Sequence, residues 1–173
     1  MTPPKWFDRA FDFSFTENIL PSIIERLWGT PLRLKEKIKE IPIAIQAIQP
    51  DGKWSIREHI GHLSDLEILW QMRLQDILEG KEIMTVWDVT NAKTTQANHN
   101  AKSADQLLAE FTAIRTQTLS QLDPLTEEEV FKFSLHPRLQ TPMRVLDLFL
   151  FVAEHDDHHL ANITAIHKSL IEN

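Results

Sequence analysis

Cysteine is absent from this sequence, and glycine occurs only 4 times in 173 residues. Without cysteine the chain forms no disulfide, offers no thiolate to a metal ion and has no cysteine nucleophile. The scarcity of glycine argues against a fold of strands and tight turns, because such turns often need a backbone with positive φ. Positive charge is also in deficit, since the net charge is −7. An acidic chain repels phosphate backbones, so we expect no nucleic-acid partner.

Long hydrophobic runs are missing as well. The longest apolar stretch, Val145 to Ala153, contains Asp147 and is far too short to cross a bilayer. The first residues, Met-Thr-Pro-Pro-Lys-Trp, contain no apolar segment of the kind found in secretory signals. We therefore expect a cytoplasmic protein with no membrane partner. A hydrophobic fraction of 42% in a chain of this length predicts one globular domain over residues 1–173.

Hydrophobic periodicity predicts an all-α protein. Apolar spacing and capping boxes at Ser55 and Ser103 indicate helices in four segments: 16–41, 55–79, 103–122 and 141–171. The Gly-Thr-Pro sequence at 29–31 is expected to break the first segment into two helices, and Pro142 to begin the last helix. These segments predict an antiparallel four-helix bundle with one long crossing connection. Residues 1–15, which contain five aromatic side chains, are expected to form an extended arm packed on the bundle.

The most informative feature is the sequence Glu-His-Asp-Asp-His-His at positions 154–159, inside the last predicted helix. His155 and His159 are four residues apart, so a helix places both imidazoles on one face, one turn apart. The rest of that face is apolar. Buried imidazoles need partners, and a divalent metal ion held by both rings would satisfy them. A pair satisfied by carboxylates or water is the alternative.

A third metal ligand would come from another helix. The second predicted helix offers His59 and His62, three residues apart on its apolar flank, and their spacing does not separate them. Three imidazoles would leave coordination positions open for water or substrate, as in catalytic sites. Glu67 and Asp156 fall near the apolar stripes of their helices and are candidates to hydrogen-bond the ligand imidazoles.

Two segments between the helices lack clear periodicity. Residues 81–102 form a long polar loop, and loops of this length in compact domains are often functional. Residues 132–140 are expected to be irregular or to contain a short strand. His99 and His136, which lie in these segments, are expected to be solvated and not to bind a metal ion.

Two motifs resemble those of the DinB/YfiT-like superfamily. The first is Trp-Ser-Ile-Arg-Glu-His-Ile-Gly-His-Leu at 54–63, which continues to Asp65 and Glu67. The second is His-Asp-Asp-His-His at 155–159, about ninety residues after the first. The similarity extends over most of the chain, from about residue 17 to residue 170.

This resemblance implies a four-helix bundle that holds one divalent metal ion on His62, His155 and His159, and so selects His62 over His59. Zinc or nickel is expected, with iron or manganese as alternatives. Family members with known activities include transferases and isomerases that use a low-molecular-weight thiol. The resemblance therefore implies a metal-activated thiol or water that attacks a small electrophile. Metal-dependent hydrolysis, or a non-catalytic stress-response module with a structural metal, is the alternative.

Three further residues are candidates for the surroundings of this metal ion. Arg73 follows His62 by eleven residues, about three helical turns, and could bind an anionic group of the substrate or pair with a carboxylate of the bundle. Trp87 and Asn91, in the long polar loop, could form a wall of the pocket. Bundles of this family commonly pair, so a homodimer is also expected.

Overall fold

Four long helices account for most of residues 3–172, the part of the chain that the computed structural model describes. The α-helices are α1 Leu20–Glu40, α2 Ile56–Leu78, α3 Ala92–Gln96, α4 Ala104–Leu122, α5 Glu127–Val130 and α6 Val145–Ile171. Strands β1 Phe133–Leu135 and β2 Pro142–Arg144 form an antiparallel hairpin. Short 3-10 turns lie at Trp6–Asp8, Ile43–Ile45, Pro50–Gly52 and His99–Ala101. In this described part of the chain, no helix is both long and apolar enough to span a membrane.

The capping boxes predicted from the sequence are present at the starts of α2 and α4. The Ser55 hydroxyl accepts a hydrogen bond from the backbone N–H of Glu58, whose carboxylate accepts one from the Ser55 N–H. Ser103 and Gln106 exchange the same pair of bonds. Each box satisfies backbone donors that a helix start leaves unpaired. Both helices therefore begin where the sequence predicts.

Around the bundle the long helices follow the order α1, α4, α2, α6. Neighbours run antiparallel in the pairs α1–α4 and α2–α6, and parallel in the pairs α1–α6 and α2–α4. A parallel α2–α4 pair requires a connection that runs the length of the bundle, and residues 79–103 supply it. The all-α four-helix bundle and its one long crossing connection, both predicted from the sequence, are confirmed.

Helix α1 is continuous, although the sequence predicted a break at residues 29–31. Pro31 has no backbone N–H, so the carbonyl of Leu27 loses its helical partner. Arg115 of α4 donates to that carbonyl through Nη1 at 3.2 Å. The prediction of two helices is wrong because a side chain from another helix replaces the missing donor.

The last helix begins at Val145, three residues later than predicted. Pro142 belongs instead to β2, where it pairs with Leu135 of β1. The Asp147 carboxylate accepts a hydrogen bond from the Arg144 backbone N–H at 2.9 Å and so caps the helix. Proline is compatible both with the first turn of a helix and with the edge of a strand. Here the pairing with β1 places Pro142 in a strand.

The segment before α1 has no regular secondary structure apart from the 3-10 turn at Trp6–Asp8, and it packs on the bundle. The rings of Trp6 and Phe11 each lie 4.9 Å from the ring of Phe151 on α6, measured between centroids. Arg9 forms an ion pair with Glu154, also on α6. Positions 1 and 2 of the predicted arm lie outside the described residues.

A buried ion cluster joins the long helices near the bundle centre. Arg115 on α4 pairs with Glu67 on α2 at 2.5 Å and with Asp156 on α6 at 2.6 Å, and each of the three side chains is at most 1% exposed. Thr30 of α1 donates to Asp156 at 2.9 Å. Removal of Arg115 would leave two buried carboxylates without a cation. The cluster therefore constrains how the four helices pack against one another.

Candidate metal centre

Three histidines converge between α2 and α6. His62 comes from α2, His155 and His159 come from α6, and one ring nitrogen from each lies within 4.8 Å of the others. All three residues are buried, with 3% to 5% of their surface exposed. The one-turn spacing of His155 and His159 puts both rings on the face that the antiparallel helix α2 covers. These are the three residues that the family resemblance singled out.

Each of the three rings has at least one nitrogen within hydrogen-bond distance of another side chain. His62 Nδ1 lies 2.9 Å from Thr94 Oγ1, and His159 Nδ1 lies 2.8 Å from His59 Nδ1. The Nε2 atoms of His155 and His159 face each other at 3.1 Å. Among the described residues, buried His155 Nδ1 has no hydrogen-bond partner. An unpartnered buried nitrogen is unfavourable, and this one lies across the ring from the Nε2 that faces His159.

Burial keeps all three rings neutral. It lowers the pKa of His62 to about 3 and holds the pKa values of His155 and His159 well below 6.5. Neutral imidazole is the form that binds a metal ion. With Zn–N distances of roughly 2.0–2.1 Å, nitrogens on a tetrahedral zinc ion lie about 3.3 Å apart. The Nε2 atoms of His155 and His159, at 3.1 Å, are close to that spacing. The donor set therefore fits a divalent metal ion.

His59 lies beside these three histidines and not among them. Its Nδ1 contacts the Nδ1 of His159, on the opposite side of that ring from the Nε2 that faces His155. Burial lowers the pKa of His59 to about 4, so its ring is also neutral. A hydrogen bond to the second nitrogen of a ligand imidazole fixes the tautomer and the orientation of the ring. His59 is thus a positioning residue for His159, and the geometry favours His62 as the third ligand.

A second supporting chain reaches His62 from the crossing connection. Thr94 Oγ1 donates to Asp65 Oδ2 at 2.8 Å, and His99 Nε2 lies 2.9 Å from the same oxygen. Because the Thr94 hydroxyl gives its single proton to Asp65, it accepts from the Nδ1–H of His62. That arrangement leaves the lone pair of His62 on Nε2, where a metal ion can use it. Sequence reasoning offered Asp65 as a carboxylate that could support the imidazoles, but it missed the role of Thr94.

His99 and His136 are buried, which corrects the expectation that they are solvated. They are 5% and 2% exposed. His99 packs directly on Gly61, where an added Cβ would lie 2.3 Å from the imidazole. Glycine in the interior of a helix is unfavourable unless another group approaches closely. The glycine at position 61 was therefore the sequence signal that another side chain packs on α2 next to His62.

Glu67 and Asp156 do not contact the ligand imidazoles in the described part of the chain. Both carboxylates bind Arg115 in the buried ion cluster. This corrects the expectation that they support the histidines. Helical periodicity placed both residues near the interior of the bundle, but it could not show that an arginine from α4 reaches between them.

A cavity of about 230 Å³ opens beside the histidines. His62 and His155 form part of its wall, and the three residues predicted around the pocket, Arg73, Trp87 and Asn91, all line it. Aromatic side chains supply much of the remaining lining: Trp6, Phe7, Trp70 and Phe151. The arrangement offers a small molecule an apolar space that is open to the metal ligands on one side.

Comparison with known proteins gives the chain its family. The family model described as DinB superfamily matches residues 31–163. The chain belongs to the DinB superfamily. A relative at the sequence level is YuaE of Bacillus subtilis (strain 168), which is 24% identical over 147 residues. That match covers 78% of this chain and 86% of YuaE.

Solved structures resemble this DinB superfamily protein along most of its length. YfiT from Bacillus subtilis matches with a TM-score of 0.79 at 20% identity, covering 94% of this chain and 93% of YfiT. YfiT is described as a probable metal-dependent hydrolase with an unusual four-helix bundle topology. A protein from Streptococcus pneumoniae matches with a TM-score of 0.68 at 14% identity, covering 89% of this chain and 93% of that one. At such identities the likeness establishes the fold.

Proposed function

We propose that this protein is a divalent-metal-dependent hydrolase that acts on a small molecule. One observation carries the proposal: three neutral, buried imidazoles converge, and two of them, those of His62 and His155, line an open cavity. Structural metal sites are usually closed by four protein ligands, whereas catalytic sites keep a position for water or substrate. YfiT, which has a similar fold, is itself described as a probable metal-dependent hydrolase, and this supports the same class of reaction.

The residues around the cavity have distinct roles in this proposal. A divalent ion on His62, His155 and His159 would supply a Lewis acid that lowers the pKa of a nucleophile and polarises a substrate oxygen. His59 holds His159 in orientation, and Thr94 holds His62. The aromatic lining excludes water from the apolar body of a substrate, which strengthens electrostatic interactions at the reacting end.

Thiol transfer, which the resemblance implied first, would use the same ion and the same cavity. The chain has no cysteine, so a thiol would have to enter from solution. In residues 3–172 no contact favours a thiol over water as the nucleophile. Hydrolysis is therefore our proposal, and thiol transfer is the other reaction that the experiment distinguishes.

Turnover at defined metal loading tests the proposal. Protein stripped with a chelator and reloaded with zinc or nickel is incubated with chromogenic carboxylate esters, amides and phosphate esters, with and without a low-molecular-weight thiol. We expect hydrolysis that needs the metal but not the thiol, and that falls by more than about 100-fold in His155→Ala. His167→Ala, a histidine of the same helix outside the cavity, is the matched control and should keep full activity.

The possible outcomes separate the alternatives. Turnover that requires the thiol would contradict hydrolysis and support thiol transfer. Metal-loaded protein that turns over no substrate in either arm would contradict both reactions and favour a binding module with a structural metal.

A further inference from the structure

The wall of the cavity carries two arginines that have no carboxylate partner in the described part of the chain. Arg73 is 5% exposed, whereas Arg138 is an exposed residue at the rim of the cavity. Five other arginines pair with carboxylates within 4.0 Å: Arg9, Arg26, Arg33, Arg115 and Arg144. Burial and the neighbouring Arg138 lower the pKa of Arg73 to about 10, so it is still charged at neutral pH. A buried cation with no carboxylate at ion-pair distance is unfavourable. The carboxylate of Asp76 does raise the pKa of Arg73 from nearby, but it is itself paired with Lys81.

The same region also lacks a hydrogen-bond acceptor. The backbone N–H groups of Arg138 and Leu139 donate to His136 Nδ1 at 3.2 and 3.1 Å. The proton of the neutral imidazole is then on Nε2, since a neutral ring accepts at only one nitrogen. His136 Nε2 lies 2.9 Å from Nη1 of Arg73, which has no lone pair to accept a bond. Two N–H groups face each other, and an anionic oxygen beside them would accept from both.

The carboxylate that does line the cavity, that of Asp88, is committed elsewhere. It accepts hydrogen bonds from the hydroxyl and backbone N–H of Thr90 and from the backbone N–H of Ala92. Within residues 3–172, the one acceptor that Arg73 reaches is the carbonyl of Thr85, at 3.1 Å from Nε. The charge of Arg73 and Arg138 is therefore available to a ligand in the cavity.

This cationic region lies within reach of the candidate metal ligands. The Arg73 guanidinium carbon is 5.6 Å from the ring centroid of Trp70, and the His155 ring centroid is 5.8 Å from the same point. All three residues line one cavity. A ligand lying along Trp70 would have an apolar body against the indole, one end at the guanidinium and the other end at the imidazoles.

We propose that the cavity binds a small anionic substrate whose carboxylate or phosphate group contacts Arg73, His136 and Arg138 while its reacting group faces His62, His155 and His159. Arginine suits this task because its planar donors match both carboxylate and phosphate oxygens. This inference rests on the proposed function, since it names the substrate class for the same cavity.

Binding of small aromatic anions tests the inference without requiring turnover. Zinc-loaded and metal-free protein are each titrated with phenylacetate, with phenyl phosphate and with the neutral isostere phenylacetamide, by calorimetry and tryptophan fluorescence. We expect at least one anion to bind about tenfold tighter than the amide in both forms, and Arg73→Gln to lose that difference. The tighter of the two anions identifies a carboxylate or a phosphate as the preferred group.

Two further variants keep the test decisive if Arg73→Gln folds poorly. Arg138→Gln removes an exposed side chain. It should weaken anion binding by about 3-fold to 10-fold, less than Arg73→Gln, because solvent screens an exposed charge. Arg33→Gln, the matched control on α1, lies outside the cavity and should bind as the wild type does.

Each outcome bears on one of the two proposals. Equal dissociation constants for the anions and the amide would overturn the anion subsite. Anion binding that needs zinc and is unchanged in both cavity variants would place the anion on the metal, overturning the subsite and leaving the hydrolase intact. Arginine-dependent binding to a protein without hydrolytic activity would support the subsite and contradict the hydrolase.

Discussion

At the residue scale, the candidate site depends on which nitrogen of each imidazole is free. Thr94 accepts from Nδ1 of His62, so the lone pair of that ring lies on Nε2. His59 occupies Nδ1 of His159 in a similar way. Groups that engage the second nitrogen of a ligand imidazole set its tautomer and hold its ring in place. Metal affinity should therefore depend on residues that do not themselves touch the ion.

Substitution of Thr94 tests this dependence. Thr94→Val keeps the shape of the side chain but removes the hydroxyl, and we expect zinc affinity to fall by about 10-fold to 100-fold. Thr94→Ser keeps the hydroxyl and should bind zinc much as the wild type does. Competition with a chromogenic chelator at neutral pH measures both. Equal zinc affinity in Thr94→Val and the wild type would show that the threonine does not position His62.

At the element scale, the buried ion cluster is the interaction on which the packing of the long helices most depends. Arg115 reaches Glu67 on α2, Asp156 on α6 and the Leu27 carbonyl on α1. No single helix supplies all the partners, so the cluster forms only when the bundle is assembled. It also replaces the donor that Pro31 removes from α1.

Arg115→Ala should therefore destabilise the bundle strongly. It leaves two carboxylates buried without their cation, and the free energy of unfolding should fall by about 3–5 kcal/mol. Urea unfolding followed by circular dichroism measures this loss. Arg33→Ala, which breaks a half-exposed pair with Asp157, is the control and should cost less than about 1 kcal/mol. Similar losses in the two variants would contradict a special role for the cluster.

The elements that the sequence predicted well are those specified by local signals. Capping boxes and apolar spacing located α2 and α4, and four-residue spacing placed His155 and His159 on one face of α6. The failures are at prolines. Pro31 is tolerated because Arg115 donates a hydrogen bond to the Leu27 carbonyl, which has no helical donor. Pro142 belongs to a strand because β1 lies beside it. Both outcomes depend on partners distant in sequence, which local patterns cannot reveal.

At the scale of the whole molecule, the crossing connection completes the site. Because α2 and α4 run parallel, residues 79–103 must return along the bundle, and they pass beside His62. This path brings Thr94 to the candidate ligand His62 and Trp87 to the cavity. The sequence marked the loop as functional and offered Trp87 as a wall of the pocket, but it could not assign the contact of Thr94, which belongs to no motif. The homodimer stays a prediction.

Buried neutral histidines should make the stability of the metal-free protein depend on pH. Burial, with Arg73 and Arg138 close by, lowers the pKa of His136 to about 3, against about 6.5 in an unfolded chain. Below pH 6.5 the unfolded chain takes up a proton that the folded protein does not, so the free energy of unfolding falls. The slope for one histidine is at most about 1.4 kcal/mol per pH unit.

Urea unfolding of metal-free protein between pH 7.5 and pH 4.5 measures this dependence. We expect the midpoint to fall steadily below about pH 6.5. The variant His136→Asn should show a shallower decline, because it removes one of the groups that titrate only in the unfolded state. A midpoint that does not change over this range would contradict the assignment of neutral, buried imidazoles.

The central claim is that His62, His155 and His159 hold one divalent metal ion, and metal content measures it most directly. Protein exposed to zinc or nickel at neutral pH and then freed of loose ions should retain about one ion per chain by elemental analysis. His155→Ala and His159→Ala should lose the ion, whereas His59→Ala should keep it with reduced affinity. A wild-type protein that retains no metal, or a His155→Ala variant that retains as much as the wild type, would contradict the account.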